Sequence, residues 1–361
     1  MRKDLKSVKV VHHLHMTQLA VIVDVLYNTG LNLHINIVHI LVTQGGSEVR
    51  GKITLKCNFN IRNEKRRYFP GNIDVFHKSR DIKRHESGIL HIIKGGRCKM
   101  SNDLQDKVAI ITGAASGMGK ATALKLAKKG MKIGLFDLKE ENAGKVKEEI
   151  EKDGGEAIVC DTDVSKATEV ELNTKKVVEK WGTLDFVFAN AGINGRISPI
   201  EDLAPDDWDQ TLTTNLKSTF LTVKYAIPHM KNKGGSIVIT SSINGNRTFT
   251  GFGMSAYSSS KAGQVAFGKM AALELAEYRI RVNIICPAAI ETNIGENTDK
   301  DKQNLKKVAI PIKYPEGSQP LEHGPGTPEQ VANLVHFLAS DQSSHISGTE
   351  IYIDGTESLL R

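Results

Sequence analysis

The feature that most constrains the fold is a short apolar run followed by spaced glycines and then by a helical pattern. Residues 107–112 read Lys-Val-Ala-Ile-Ile-Thr, which is typical of a strand buried on both faces. Gly113, Gly117 and Gly119 follow, and apolar residues then recur at helical spacing as far as Gly130. Because a helix N-terminus presents unpaired N–H groups, this order of strand, glycine turn and helix predicts a phosphate-binding turn.

The second predicted strand, residues 132–136, ends at Asp137, which suits a bound dinucleotide. An acidic residue about 20 positions after such glycines accepts hydrogen bonds from the ribose hydroxyls of NAD and disfavours a 2′-phosphate. Neither Ser116 nor Leu138 is an Arg or Lys that could clamp that phosphate. The pattern therefore predicts NAD rather than NADP, although Asp137 can equally cap the helix predicted over 138–151.

These motifs resemble the short-chain dehydrogenase/reductase family, and the likeness extends in order over residues 107–355. It begins with Thr-Gly-x-x-x-Gly-x-Gly from Thr112 and continues with Asp137. The resemblance implies an α/β fold, a single doubly wound parallel sheet of Rossmann type with helices on both faces. The cofactor-binding residues that it implies are Thr112, Gly113, Ser116, Gly117, Met118, Gly119, Asp137, Asp163, Val164, Asn190, Ala191, Gly192, Tyr257, Lys261, Pro287, Ile290 and Thr292.

Three matches lie after later predicted strands. Asp163 follows the third strand, 156–160, and matches the family's Asp beside the adenine. The tripeptide 190–192, Asn-Ala-Gly, follows the fourth strand and resembles the family's motif beside the cofactor. After the sixth strand Ala288 replaces the usual Gly, whereas Thr292 is retained where the family contacts the nicotinamide amide.

A second group of residues follows the fifth predicted strand, 236–240. Tyr257 and Lys261 stand four residues apart and therefore share one face of a helix. A nearby ammonium group favours the phenolate, lowers the pKa of the tyrosine and allows proton exchange with a substrate hydroxyl. This spacing also arises by accident on surface helices, but its register with the glycine turn favours the catalytic interpretation.

The resemblance assigns roles to the catalytic residues Asn215, Ser242, Tyr257 and Lys261. Tyr257 would be the general acid/base, and Lys261 would lower its pKa and hold the nicotinamide ribose. Ser242 would hydrogen-bond the substrate oxygen, and Asn215 would anchor a proton-relay water or hold a helix kink. The family's serine commonly stands thirteen residues before the tyrosine, which here is Asn244. We assign Ser242 because it ends the strand, whereas strand alternation turns Ser241 to the other side.

Residues 293–325 lose periodicity, which predicts a long loop over the substrate, before a helix at 328–339 and a seventh strand at 351–354. The predicted reaction is NAD-dependent interconversion of a secondary alcohol or polyol and its ketone. One alternative is an NADPH-dependent 3-oxoacyl-acyl-carrier-protein reductase, and another is a non-catalytic dinucleotide sensor. The resemblance also implies a homo-tetramer or dimer.

The first hundred residues differ sharply in charge from the rest of the chain. They hold 18 Lys and Arg against 7 Asp and Glu, whereas the other 261 residues hold 30 against 34. No sustained helical or strand period emerges there. We therefore expect residues 1–99 to be unstructured or to come from a mis-assigned start before Met100, with domain 100–361 as the working protein. A true extra domain is the alternative, and no nucleic-acid partner is expected.

Composition limits the environment and the chemistry. The four cysteines show no paired or metal-ligand spacing, which predicts free thiols in a reducing cytoplasm. His12, His13 and His15 lack the carboxylate or cysteine partners of a defined metal site. The uncharged stretch 25–47 is studded with polar residues, and no secretory signal is visible, so we expect no membrane association.

Overall fold

The computed structural model divides the chain into two units, Met1–Asn102 and Asp103–Arg361. It describes residues 104–249, 251–310 and 319–360 of the second unit, and five strands of the first. These five are β1 (Ile40–Gly45), β2 (Glu48–Leu55), β3 (Ile73–Lys78), β4 (Leu90–Ile92) and β5 (Cys98–Met100). Strands β1, β2 and β3 pair antiparallel in that order, as do β4 and β5. The expectation for residues 1–99 otherwise lies outside the described residues, and the start at Met100 stays a prediction.

The second unit is built on a seven-stranded sheet in which every neighbouring pair is parallel. Its strands are β6 (Val108–Thr112), β7 (Lys132–Asp137), β8 (Glu156–Asp161), β9 (Phe186–Ala189), β10 (Gly235–Thr240), β11 (Ile280–Pro287) and β12 (Glu350–Ile353). The spatial order is β12-β11-β10-β9-β6-β7-β8. Because the order reverses between β6 and β9, a crevice opens at their carboxyl ends. The predicted doubly wound parallel fold is confirmed.

Helices cover both faces of this sheet. They are α1 (Gly117–Ala127), α2 (Glu140–Lys152), α3 (Ala167–Trp181), α4 (Pro205–Leu212), α5 (Ser218–Met230), α6 (Ser255–Leu275), α7 (Lys302–Val308) and α8 (Pro328–Ala339). Helix α8 has the predicted bounds, because the Thr327 hydroxyl accepts from the Gln330 N–H and the Gln330 side chain bonds back to Thr327. Among the described helices, none has both the length and the apolar character needed to cross a bilayer.

Alternation along β6 divides the core into two layers. Ala109 and Ile111 pack in one layer with residues of α1, α2 and α8. Val108 and Ile110 pack in the other with residues of α3, α5 and α6. All four are at most 1 % exposed, and burial of each larger apolar side chain contributes about 1.5–3 kcal/mol. Both faces of the sheet are therefore sealed, and polar function is confined to its edges and its carboxyl ends.

Two segments differ from the sequence-based expectation. The loop predicted over 293–325 contains a 3₁₀ turn, Asn293–Asn297, and helix α7. Helix α7 was not predicted because it is too short to show a helical period. Its N-terminus is capped by the Asp301 carboxylate, which accepts from the Asn304 N–H at 3.0 Å. The second segment is a π-helical turn, Thr213–Lys217, between α4 and α5. It holds Asn215, so the expected helix irregularity there is present.

Candidate active site

The glycine turn that joins β6 to α1 leaves no room for side chains. A Cβ at Gly119 would lie 2.0 Å from the Gly113 carbonyl oxygen. Gly117 has a φ of +50°, and a Cβ there would lie 3.0 Å from Cγ2 of Thr292. The turn therefore brings bare backbone to the crevice, which lets a ligand approach closely.

Helix α1 begins with its backbone donors open toward this turn. Ser116 is its N-cap residue, makes no side-chain capping bond and is followed by no acidic residue in the first turn. The first N–H groups of a helix have no partner within the helix and carry a partial positive charge. This donor set fits the pyrophosphate of a dinucleotide.

Asp137 lies at the mouth of the turn, and both of its oxygens are bonded. Oδ2 accepts from the Ala115 N–H at 2.9 Å, and Oδ1 accepts from the Lys139 N–H at 3.0 Å. The carboxylate therefore ties β7 to the glycine turn and to the start of α2. Leu138 and Lys139 are exposed. Sequence reasoning stopped at Leu138 and missed Lys139, a cation two residues beyond Asp137.

Asp163 follows β8, directly after Thr162, which is hydrogen-bonded to β7. The Thr162 N–H donates to the Asp137 carbonyl at 3.0 Å. The Asp163 carboxylate accepts from the Ser165 N–H at 3.0 Å and from its hydroxyl at 2.6 Å. Burial alone would raise the pKa of Asp163, but these bonds and Lys166 lower it overall. Val164 is buried. The Asp163 side chain thus stabilises the turn before α3, and its role beside adenine stays a prediction.

Thr112 locks β6 to β9 across the reversal point of the sheet. Its hydroxyl oxygen accepts from the N–H groups of Asn190 and Ala191 at 2.9 and 3.0 Å. The Asn190 amide donates to the Thr112 carbonyl at 3.1 Å. A Cβ at Gly192 would lie 3.0 Å from Asn215 Oδ1. The Asn-Ala-Gly segment therefore forms one wall of the crevice, next to the glycine turn.

Ser242 and Tyr257 are brought together across the loop between β10 and α6. The Ser242 hydroxyl is close enough to the Tyr257 phenol to lower its pKa. It also accepts from the Asn244 N–H at 3.2 Å and donates to the Pro287 carbonyl at 3.5 Å. The Ser241 hydroxyl donates to the Lys261 carbonyl at 2.8 Å. Burial raises the pKa of Tyr257, and the bond from Ser242 lowers it in part. Both serines line the cleft described below, so the choice of Ser242 as the substrate-facing serine stays a prediction.

Lys261 lies one helical turn beyond Tyr257 and is almost fully buried. Its Nζ donates to the Thr240 carbonyl at 2.9 Å and lies 5.6 Å from the centre of the Tyr257 ring. Burial disfavours the ammonium form and lowers the pKa of Lys261 to about 8. The net lowering of the Tyr257 pKa expected from Lys261 is not observed, because burial of the phenol outweighs other influences.

Asn215 is fully buried within the π-helical turn and clamps the chain after β9. Its Oδ1 accepts from the Ile193 N–H at 2.8 Å, and its Nδ2 donates to the Ile193 carbonyl at 2.9 Å. Its own carbonyl accepts from Gln264 Nε2 at 3.0 Å. Asn215 therefore holds the irregular turn of the helix, and its role in a water relay stays a prediction.

The segment after β11 closes the cofactor side of the crevice. Ala288 donates its N–H to the Ile353 carbonyl at 3.2 Å. It is not among the described residues with a positive φ, so the methyl group that replaces the family's glycine is accommodated. Ile290 pairs with Gly326 in an isolated parallel bridge, and the Thr292 side chain occupies the space that a Cβ at Gly117 would need.

These elements enclose a cleft of about 440 Å³. The predicted residues that line it are Met118, Asn190, Gly192, Ser242, Tyr257, Lys261, Pro287, Ile290 and Thr292. Asn194, Met254 and Ile294 also line it and lie in segments that the sequence suggested for substrate contacts, whereas Ile193, Asn244 and Glu357 were not predicted. Glu357 comes from a 3₁₀ turn after β12, and only the three-dimensional fold brings it to the cleft.

The segment that leads into α7 is bonded to the chain that follows β9, beside this cleft. The Asn194 amide donates to the Thr298 hydroxyl at 2.9 Å. The Ile197 N–H donates to the Asp299 carbonyl at 2.9 Å, and the Asp301 N–H donates back to the Ile197 carbonyl at 2.9 Å. Arg196 pairs with the Asp299 carboxylate. Ile294 from this segment lines the cleft, and the predicted substrate-covering role of residues 293–325 stays a prediction.

No group of three or more His, Cys, Asp or Glu side chains in the described part of the chain could hold a metal ion. The donors that the cleft presents are backbone N–H groups, hydroxyls, amides and one lysine. This set fits a nicotinamide dinucleotide and an alcohol or carbonyl substrate.

Comparison with known proteins assigns the class. A family model described as enoyl-(acyl carrier protein) reductase matches residues 113–356. The chain is 37% identical over 254 residues to 3-oxoacyl-[acyl-carrier-protein] reductase FabG of Thermotoga maritima, covering 70% of this chain and 98% of that protein. It is 35% identical over 258 residues to cyclohexanol dehydrogenase of an Acinetobacter species, covering 71% and 96%.

A solved structure agrees with these relatives. The crystal structure of a 3-ketoacyl-ACP reductase from Sinorhizobium meliloti aligns with a TM-score of 0.67 and 44% identity, over 70% of this chain and all of that one. The chain therefore belongs to the short-chain dehydrogenase/reductase family of oxidoreductases.

Proposed function

We propose that the protein interconverts a secondary alcohol or polyol and its ketone with NAD as the hydride acceptor. The observation that carries the proposal is the convergence of Ser242, Tyr257 and Lys261 on one cleft that also reaches the glycine turn at Met118. A sensor that only binds a dinucleotide would not need a phenol and a serine hydroxyl together in the cleft. The cyclohexanol dehydrogenase among the relatives supports an alcohol substrate.

The chain's own residues account for the proton chemistry. Bound NAD would supply a carbon centre that takes up the hydride. The Ser242 hydroxyl would hydrogen-bond the substrate oxygen, next to the Tyr257 hydroxyl that it already contacts. Tyr257 would take the alcohol proton in oxidation and return it in reduction. The buried Lys261 ammonium would stabilise the phenolate as it forms and would donate to a ribose hydroxyl.

Cofactor residues follow from the same geometry. The open N-terminus of α1 and the backbone of residues 113–119 would bind the pyrophosphate. Asp137 would accept from the adenosine ribose, and Thr292 would lie beside the nicotinamide. Asp137 favours NAD through hydrogen bonding and through repulsion of a 2′-phosphate. The positive charge of Lys139 would instead attract a 2′-phosphate and favour NADP. The preference for NAD over NADP therefore depends on the balance between Asp137 and Lys139, which can be tested.

The direct test is the absorbance of the reduced nicotinamide across secondary alcohols and polyols, with NAD and NADP in parallel. Turnover with NAD would support both the reaction and the Asp137 argument. Turnover with NADP alone would overturn the cofactor assignment. Dinucleotide binding without turnover of any alcohol or ketone would favour the sensor.

A second candidate is a 3-oxoacyl-acyl-carrier-protein reductase. It is favoured by the resemblance to the reductases of Thermotoga maritima and Sinorhizobium meliloti. That activity would use the same Ser242 and Tyr257 but usually takes NADPH. Reduction of a 3-oxoacyl thioester with NADPH, faster than any alcohol oxidation with NAD, would establish it.

We also infer a homo-oligomer, a dimer or tetramer, in a reducing cytoplasm. A shallow apolar depression between α4, α5 and α6 is lined by Leu216, Phe220 and Phe267, and Phe220 is 43% exposed. Such a surface is typical of a protein interface. Cys160 and Cys286 are buried free thiols, which suits a reducing compartment. The molar mass in solution tests the assembly, and fractionation of the source cells tests the location.

A further inference from the structure

Three asparagines line the cleft, and their side-chain amide nitrogens differ in how they are bonded. Nδ2 of Asn190 donates to the Thr112 carbonyl at 3.1 Å, and Nδ2 of Asn194 donates to the Thr298 hydroxyl at 2.9 Å. Nδ2 of Asn244 has no acceptor among the described residues, and it is not closed off from solvent. Asn244 therefore brings to the cleft an amide donor that the described part of the chain does not use.

The oxygen end of the Asn244 amide is fixed inside the protein. Its Oδ1 accepts from the Thr248 hydroxyl at 2.9 Å, and Thr248 is 2% exposed. The Thr248 N–H donates to the Ile243 carbonyl at 3.1 Å, which closes the chain between the two residues. Because the oxygen and the nitrogen of a carboxamide diverge from one carbon, the bond from Thr248 orients the amide and leaves its nitrogen end open.

The turn that carries Asn244 is also fixed relative to the predicted catalytic residues. The Asn244 N–H donates to the Ser242 hydroxyl at 3.2 Å. A Cβ at Gly245 would lie 2.8 Å from the Lys261 carbonyl carbon and 2.9 Å from the Ala262 nitrogen, so the turn packs directly on the backbone of α6. The Asn244 amide is therefore preorganised beside Ser242, and little ordering is needed when a ligand binds.

We infer that Asn244 is a specificity-determining residue whose amide donates to a second oxygen of the substrate, close to the reacting carbon. Ser242 and Tyr257 hold the reacting oxygen in the proposed function, and the Asn244 donor lies two residues beyond Ser242 in the same cleft. A substrate with only hydrocarbon at that place displaces water from the amide and leaves it unpaired, which costs binding free energy. This inference rests on the proposed function and narrows its substrates to alcohols and ketones that carry a second oxygen acceptor.

The test compares ethyl 3-oxobutanoate with 2-heptanone, two ketones of equal chain length of which only the first has a second carbonyl oxygen. Asn244→Asp keeps the oxygen that accepts from Thr248 but replaces the amide donor by an acceptor. The ratio of kcat/KM for the ester to that for 2-heptanone, measured with the reduced dinucleotide that the protein accepts, should therefore fall about 10- to 100-fold. Asn142→Asp adds the same charge on the exposed face of α2. It is the matched control and should leave the ratio unchanged.

A neutral variant separates loss of the donor from the added charge. Asn244→Leu keeps the approximate size of the side chain without a donor, so the same ratio should fall in this variant too. The melting temperatures of both variants show whether the turn stays folded. Asn244→Asp keeps the bond from Thr248 and remains decisive if Asn244→Leu unfolds.

A binding measurement distinguishes failure of this inference from failure of the proposed function. If the parent reduces neither ketone, the proposed function fails, and the affinity of the NAD-loaded protein for ethyl 3-oxobutanoate judges the inference instead. That affinity should fall in Asn244→Asp. Equal kcat/KM ratios in the parent and in Asn244→Asp would overturn the role of Asn244. In the absence of turnover, equal affinities, or no binding of the ester to the parent, would overturn it as well.

Discussion

The cofactor side and the substrate side of the cleft are built in different ways. On the side proposed to bind the cofactor, the wall is formed by the backbone of residues 113–119 and by Thr112, whose contacts reach across adjacent strands. On the substrate side, side chains from distant parts of the chain meet: Arg247 contacts Ser358, 111 residues away. A backbone cradle tolerates few substitutions, whereas a surface assembled from side chains can change its ligand without changing the fold.

This contrast explains what the sequence could predict. The succession of strands and helices, the glycine turn and the placing of Tyr257 and Lys261 on one helix could be predicted from periodicity, spacing and the family resemblance, and the structure contains all three features. Ser242 was distinguished from Ser241 by its place at the end of the strand and by strand alternation, and in the structure the Ser241 hydroxyl is bonded to the Lys261 carbonyl.

The substrate side could not be predicted in the same way. Glu357 reaches the cleft only because Asp354 and Arg247 hold its turn, and neither contact has a local sequence signal. Helix α7 escaped notice because seven residues with few apolar positions give no helical period. The pKa of Tyr257 depends on burial, which spacing does not reveal.

The largest expected effect separates chemistry from cofactor binding. Tyr257→Phe keeps the ring but removes the hydroxyl that exchanges the proton, so kcat should fall about 100- to 10,000-fold. Cofactor affinity, measured by fluorescence titration, should change far less, because the backbone cradle is untouched. A Tyr257→Phe enzyme with ordinary turnover would remove Tyr257 from the mechanism.

Substitution of Gly119 tests whether the glycine turn is as tightly packed as the structure indicates. In Gly119→Ala the new methyl would meet the Gly113 carbonyl 2.0 Å away, and backbone cannot move aside as a side chain can. We expect the free energy of unfolding to fall by at least about 3 kcal/mol, together with loss of dinucleotide binding. Chemical denaturation measures the first and titration the second. Wild-type stability in this variant would contradict the packed geometry.

Titration of Lys261 gives a pH-dependent effect. Its pKa lies near 8 in the folded protein against an ordinary 10.5, so the unfolded chain binds more protons between these values. Stability must therefore rise with pH in this window, relative to a variant that cannot titrate there. Compared with Lys261→Met, the parent should gain up to about 3 kcal/mol across it. Denaturation curves at several pH values test this, and parallel pH profiles would argue against a lowered pKa.

The cofactor preference should respond to Asp137. Removal of the carboxylate in Asp137→Ala loses a charge-assisted acceptor for the ribose and relieves repulsion of a 2′-phosphate. The ratio of kcat/KM with NAD to that with NADP should fall about 10- to 100-fold. Asp153→Ala, at the other end of α2, is the control and should leave the ratio as it is. An unchanged ratio in Asp137→Ala would assign the preference to other residues.

The smallest effect comes from a glycine outside the cradle. Gly144 lies in helix α2, and a Cβ there would meet nothing within 4 Å. Gly144→Ala should raise the free energy of unfolding by about 0.5–1 kcal/mol and leave dinucleotide affinity unchanged. Denaturation and titration check both points. If Gly144→Ala destabilised the protein as much as Gly119→Ala, the backbone of residues 113–119 would be no more sensitive to substitution than the surrounding helices.

Transfer of deuterium from the carbinol carbon of secondary alcohols to NAD tests the central claim most directly. The protein is incubated with NAD and a panel of deuterated alcohols and diols, and the nicotinamide is then analysed by mass spectrometry. We predict deuterium on the nicotinamide with the parent protein and almost none with Tyr257→Phe. Binding of NAD without transfer from any alcohol, or transfer that persists in Tyr257→Phe, would contradict the account.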